Sequence, residues 1–267
     1  MGDLPGSDPR SPEPPTVDCP RPATVLAVGA HPDDIEFGCG GTLAKWGASG
    51  SRIHHLVLTD GSKGSWDPDA DQDRLVAERK TECRAAAAVI DGPEPAGSEG
   101  DDRVLFLGRV DGELENDREV RRAIARIVRQ LRPDMVLGHD PWRRYRLHPD
   151  HRAAGFALLD ALVAARDPHF FPEIGLAPHR PEALLLFEAD LPNHVEDVGG
   201  FESQKIEALL CHHSQFESTM GIRSVDDGRV ADEGYTAFAA KVHRQLAAHG
   251  SLADRPSGEA FHLITEL

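Results

Sequence analysis

The chain has 267 residues, enough for one large α/β domain or two small ones. It carries 45 acidic against 29 basic residues, a net charge of −16, which argues against a basic groove for nucleic acid and against docking on an anionic membrane. Four cysteines (Cys19, Cys39, Cys83, Cys211) stand far apart with no Cys-x-x-Cys pair. That pattern is neither a disulfide framework nor a structural zinc site, and it reads as small buried residues of a reducing, cytoplasmic compartment.

The first 22 residues are rich in Pro, Asp and Ser, lack the apolar core of a secretory signal, and read as a disordered tail. Residues 23–267 read as a single domain, with no apolar stretch long enough to span a bilayer. The first strand is the apolar run Val25-Leu26-Ala27-Val28, buried on both faces, which stops in His31-Pro32-Asp33-Asp34. Loops beyond the carboxyl ends of such strands are where α/β proteins bind ligands. His31 and Asp34 are three apart across a proline turn, and imidazole and carboxylate are both good zinc ligands. Two ligands make a weak site, so a third must come from elsewhere.

A helix follows from Gly40 to Gly47, then a second strand from Ile53 to Asp60, in which His54 and His55 point to opposite faces and serve as structural or surface residues. A polar loop spans Gly61 to Asp73. A helix runs from Asp73 to Ile90, with Arg79 and Glu82 spaced for one face, an exposed salt bridge unless the helix start faces a pocket. Asp91 to Asp102 loops out, and a third strand covers Arg103 to Gly108. Asp111 then either contacts ligand or makes a turn with Gly112. Arg118 to Leu131 carries the clearest amphipathic stripe, Val120, Ile124, Ile127, Val128 and Leu131, closed by Pro133.

The fourth strand, 135–140, leads into Trp142, Arg143, Arg144, Tyr145 and Arg146, a basic-aromatic cluster suited to sugar rings or an anionic group, or to covering a sheet edge. His148-Pro149-Asp150-His151 follows and repeats the His-Pro-Asp theme at a second strand end, which makes it the candidate source of the missing ligand. Asp150 to Ala165 is a helix, Ala183 to Ala189 a fifth buried strand, and Phe201 to Phe216 and Tyr235 to Gly250 are helices. Strand and helix in alternation imply a Rossmann-like α/β fold, a mostly parallel sheet with helices on both faces.

These residues resemble a known family. Ala30-His31-Pro32-Asp33-Asp34 with Gly38-Cys39-Gly40-Gly41-Thr42, then Leu58-Thr59-Asp60-Gly61, Arg79-x-x-Glu82, Pro133-Asp134-x-Val136, His148-Pro149-Asp150-His151 and Ser214-Gln215 are similar to the PIG-L/LmbE-like deacetylases, zinc enzymes that remove acetyl groups from N-acetylglucosamine units. The resemblance runs from about Thr24 to Phe216. It implies that His31, Asp34 and His151 hold the metal, that Asp33 is the general base, and that His148 is the polarising or acid group oriented by Asp150. It further implies that Arg79 and Asp111 meet the sugar. Some members carry a mobile Tyr two residues before the second motif, where this chain has Arg146; Tyr145, one residue away, is the alternative.

The chemistry is self-consistent. Three protein ligands leave zinc room for water and a carbonyl oxygen, and a neighbouring carboxylate can take the water's proton. The expectation is a hydrolase acting on an N-acetyl amino-sugar conjugate, with Zn2+ or another divalent ion such as Fe2+ as cofactor and no nucleic-acid partner; a homo-oligomer stays open. Three readings compete: an iron(II) oxygenase built on the same two-His-one-carboxylate set, an amidase acting on a non-sugar amide, and a sugar-binding module with a structural metal.

Overall fold

A computed structural model of the chain describes residues 15–91, 103–222 and 232–267. The first fourteen residues of the expected tail and the expected loop at 92–102 lie outside the described residues. The strands are β1 (Thr16–Val17), β2 (Thr24–Gly29), β3 (Arg52–Thr59), β4 (Val104–Arg109), β5 (Met135–His139), β6 (Ala183–Phe187), β7 (His194–Asp197) and β8 (Gly258–Ile264). The helices are α1 (Asp34–Ala48), α2 (Gln72–Asp91), α3 (Arg118–Leu131), α4 (Pro149–Arg166), α5 (Glu202–Leu210) and α6 (Asp232–Gly250). One eight-stranded sheet has the order β1-β7-β8-β6-β5-β2-β3-β4.

The five strands from β6 to β4 are mutually parallel, as the strand–helix alternation requires. Their residues alternate between the two faces because side chains on a strand do. Val25 and Ala27 pack with Ile35 and Leu43 of α1 and Ile90 of α2. Leu26 and Val28 pack on the opposite face with Ile124 of α3 and Leu158 of α4. Strand order reverses at β2: the chain proceeds outward to β3 and β4, then returns to lay β5 on β2's other side. The crevice at the carboxyl ends of β2 and β5 is therefore a topological switch point.

The far edge of the sheet differs from expectation. β8 runs antiparallel to both β6 and β7, and neither β7 nor β8 announces itself by a long apolar run. Residues 15–22 are not loose: β1 pairs with β7, the Cys19 amide donates to Glu196 Oε1 at 2.7 Å, and Lys45 binds both Asp18 and Glu196. His54 and His55 are both buried, so the surface alternative falls.

α1 starts at Asp34, six residues before the expected Gly40, and it is kinked at Cys39 (φ −148°, ψ 18°). The kink releases the Gly41 and Thr42 amides, which donate to Glu259 of β8 at 2.9 and 2.7 Å. Glu259 is in turn bound at 2.6 Å by the buried Lys205 ammonium, which also donates to Phe37 O. Among the described residues no helix is long and apolar enough to cross a membrane.

Candidate active site and metal centre

Each parallel strand delivers its next residues to the same end of the sheet. β2 delivers His31, Asp33 and Asp34; the loop after β4 delivers Asp111; β5 ends in His139; β6 is followed by Glu188; α4, launched from the β5 loop, carries His151 in its first turn. A cavity of about 620 Å³ opens over them, floored by His31, Asp33, Asp34 and His151 and rimmed by Trp66 and Lys241. That volume is in the range of small-molecule sites.

Two local devices build the floor. Asp33 sits at φ 112°, in the left-handed region where a non-glycine residue is strained, and this turn sends Asp34 into the first turn of α1. There the helix dipole favours an acid, and Asp34 Oδ2 accepts the His31 amide at 2.7 Å. On the other side, Gly155 lets α4 lie against the end of β5: a Cβ there would stand 2.6 Å from the His139 carbonyl oxygen.

The result is a triangle of ligand atoms. His31 Nδ1 lies 3.1 Å from His151 Nε2 and 3.2 Å from Asp34 Oδ2, and His151 Nε2 lies 3.3 Å from Asp34 Oδ1. A tetrahedral ion with bonds of 2.0–2.1 Å spaces its ligand atoms about 3.3 Å apart; the two imidazole nitrogens keep about that distance from each other and each from a different oxygen of Asp34, a donor set suited to a divalent cation. The other ring nitrogen of His31 agrees with this. Nε2 stands 3.1 Å from both Asp150 Oδ2 and Asp111 Oδ1, two acceptors that hold a proton on Nε2, so Nδ1 is the nitrogen a cation would take by displacing its proton. Burial lowers the His31 pKa, and Asp111, Asp150 and Asp34 outweigh it, pushing it up to about 12. Three carboxylates around one imidazole suit a dication.

One expected role changes, and the exposed-salt-bridge alternative for Arg79 falls. Asp150 is fully buried and accepts the Gly112 amide at 2.7 Å, the Leu114 amide at 3.2 Å and His31 Nε2. It holds His31, not His148, because α4 turns its carboxylate beneath the site while His148 caps the helix on the solvent side. Arg79 is not exposed in a salt bridge with Glu82. It is 3% exposed and donates to Gly61 O at 3.0 Å and Pro32 O at 2.5 Å, with Asp33 Oδ1 at 3.5 Å. Its guanidinium braces the Asp33 turn from beneath, and Glu82 instead accepts the Ser214 amide and hydroxyl.

His148 is half-exposed on the pocket wall, its ring 4.5 Å from that of His31. Asp111 faces inward: it accepts the Lys63 amide at 3.1 Å and contacts His31. Tyr145 adopts φ 60° and is 93% exposed, outside the pocket lining, whereas Arg146 lines it. The other arginines of that loop are tied down, Arg143 to Ala189 O and Arg144 to Asp190.

Burial pushes Asp33 up to about 6, with Arg79 pulling down and Asp34 pushing up. Its carboxylate faces the pocket beside the ligand triangle. A carboxylate near neutrality next to a cation site is what a hydrolytic general base requires.

The family model described as PIG-L, GlcNAc-PI de-N-acetylase, matches residues 26–162. The chain belongs to the PIG-L family. The match begins in β2 and ends in α4, so it contains both His-Pro-Asp motifs and His31, Asp34 and His151. A diacetylchitobiose deacetylase of Thermococcus kodakarensis is 36% identical over 195 residues, covering 72% of this chain and 70% of that one. A probable N-acetyl-α-D-glucosaminyl L-malate deacetylase of Bacillus anthracis is 30% identical over 215 residues, covering 76% and 87%. Among solved structures, the N,N'-diacetylchitobiose deacetylase of Pyrococcus horikoshii matches with a TM-score of 0.77 at 27% identity, covering 91% of this PIG-L chain and 84% of that one.

His139 and Glu188 are the site residues that motif reasoning passes over. The available signal is positional: each stands at the carboxyl end of a buried parallel strand, as His31 does.

Proposed function

We propose that this PIG-L chain is a zinc-dependent deacetylase that hydrolyses the acetamide of an N-acetylglucosamine-type sugar or glycoconjugate. The observation that carries the reading is the triangle of His31, Asp34 and His151 ligand atoms beside the buried carboxylate of Asp33. Those three residues would hold the ion, which supplies polarisation of the acetamide carbonyl and acidification of water. Asp33 takes the proton from the attacking water as its oxygen bonds to the carbonyl carbon. His148 donates a hydrogen bond to the oxygen on which negative charge gathers. Asp33 then returns the proton to the nitrogen as the C–N bond breaks, so acetate and a free amine leave. Arg79 keeps Asp33 aimed, and Asp150 and Asp111 keep His31 aimed.

The relatives named above act on N-acetylglucosamine derivatives, and this supports a sugar substrate over a non-sugar amide. The oxygenase reading leaves Asp33 and His148, both in the pocket wall, without work. The test is a fluorescent-amine assay of zinc-loaded protein across N-acetylglucosaminides and non-sugar acetamides, with metal analysis of the protein as isolated. Amine release from the sugars is expected. Release from the non-sugar amides alone would overturn the substrate class, and turnover unaffected by chelation would overturn the metal.

A further inference from the structure

The side chains around the ligand triangle show a second layer of order. β6 ends at Phe187, and Glu188 follows at φ 54°, a backbone turn that presents its carboxylate to the pocket. Glu188 Oε2 lies 3.3 Å from His139 Nδ1 and 3.9 Å from His151 Nδ1. The His139 and His151 rings are stacked, with centroids 4.4 Å apart and planes at 28°. On the opposite edge of this stack, Asp34 Oδ2 lies 3.1 Å from His139 Nε2 and Asp34 Oδ1 lies 3.3 Å from His151 Nε2. Two parallel imidazoles thus bridge two carboxylates, Asp34 on the inner edge and Glu188 on the outer.

We infer that Glu188 is a positioning residue for the metal centre: it anchors His139, which fixes Asp34, and it is the acceptor for the Nδ1 proton of His151. The inference rests on the reading that His31, Asp34 and His151 hold a divalent cation. A neutral imidazole that gives its Nε2 lone pair to a cation carries its proton on Nδ1, and that proton needs an acceptor. Glu188 Oε2 is the carboxylate oxygen facing that nitrogen. His139 is 2% exposed, so its ring has no water to turn to, and its orientation is set by the two carboxylates at its ends together with the Ala30 amide, 3.3 Å from Nε2. Removing the outer one frees the ring that steers Asp34.

Arg146 reaches the same two side chains. Its Nε donates to His151 Nδ1 at 2.7 Å, its Nη2 also touches that nitrogen, and its Nη1 donates to Glu188 Oε1 at 2.6 Å. A guanidinium only donates. Arg146 on Nδ1 and a cation on Nε2 therefore demand opposite tautomers of His151 and exclude each other. Glu188 already holds one arm of Arg146, so it is also the group onto which the guanidinium can withdraw. Arg146 competes with the cation, and Glu188 favours it.

The experiment is a zinc titration of the full chain against a chromophoric chelator, for the wild type, Glu188→Gln and Arg146→Met, with the cobalt(II) absorption spectrum of each as a second readout. Second-sphere partners of this kind are worth about 10- to 100-fold in metal affinity. Glu188→Gln is expected to weaken zinc binding by about that factor and to alter the cobalt bands, and Arg146→Met to strengthen binding. Because Glu188 is partly exposed and Gln keeps its size, the Gln variant can be assayed folded. Glu188→Gln with the wild-type zinc affinity and cobalt spectrum would overturn the role of Glu188, even if its melting temperature fell. A wild-type chain that binds no zinc would overturn the metal centre itself and this inference with it.

Discussion

Nδ1 of His31 and Nε2 of His151 lie 3.1 Å apart although 120 residues of chain separate them. Adjacent parallel strands β2 and β5 bring them together, and Asp34 completes the set. At the proposed metal centre, replacing His31 or His151 by Ala would remove a ligand outright. Zinc content measured by mass spectrometry is expected to fall from one ion per chain to near zero, with a circular-dichroism spectrum like that of the wild type. Stoichiometric zinc in His151→Ala would place the ion elsewhere.

Asp33 is adjacent to a ligand without being needed as one. Asp33→Asn keeps the size and removes the proton acceptor. Loss of a general base costs about 10²–10⁴ in rate, and kcat is expected to fall by that much while bound zinc stays unchanged. Steady-state kinetics beside metal analysis separates this from loss of the ion.

Gly155 permits the contact of α4 with the end of β5. Gly155→Ala places a methyl group against the His139 carbonyl, and the helix must shift outward, carrying His151 with it. Overpacking of this kind costs about 1–3 kcal/mol. A lower urea midpoint together with weaker zinc binding is expected; a lower midpoint alone would mean that α4 shifts without moving its first turn.

Lys205 and Glu259 form a buried pair that also satisfies the amides freed by the α1 kink. Lys205→Met leaves Glu259 charged and without its cation. Breaking a buried pair from one side costs about 3–5 kcal/mol, which chemical denaturation will read. The double variant Lys205→Met with Glu259→Gln is expected to recover part of the loss.

His55 offers a pH test away from the cavity. Burial, the largest influence, lowers its pKa, but the Asp91 carboxylate 3.2 Å away helps to raise it, and the net direction is up. A group whose pKa is raised on folding stabilises the fold fully below its unfolded value, about 6.5, and loses that stabilisation as pH climbs through the folded value. The stability gap between wild type and His55→Gln is therefore expected to be wider at pH 5.5 than at pH 9, measured by urea midpoints. A gap that widens with pH would show His55 to be neutral in the folded chain.

Much of this architecture was legible in the residues. Val25 to Val28 and Met135 to His139 read as buried strands because nothing polar interrupts them, and the His-Pro-Asp motifs mark where those strands stop. β7 and β8 escaped because His194-Val195-Glu196-Asp197 and Gly258-Glu259-Ala260 bury charge, and pattern reading sends charge to the surface. Only the partners excuse it: Lys45 for Glu196, Lys205 for Glu259. Asp150 reads as a partner of His148 yet holds His31, because spacing along a helix does not say which loop lies above it; Arg79, expected at the sugar, lines the pocket. His139 and Glu188 lie outside any motif and become visible only when the strand ends are seen to meet.

The split origin of the centre has a consequence for synthesis. On the ribosome, His31 and Asp34 emerge early, yet the pocket wall that answers them is encoded more than a hundred codons later. Until β5 docks alongside β2 the nascent chain presents half a grip, a weak snare for any passing ion. At the proposed centre, metal loading is thus tied to the closing of a long-range strand pair, a slow event for a growing polypeptide, and a chain released before α4 lacks His151.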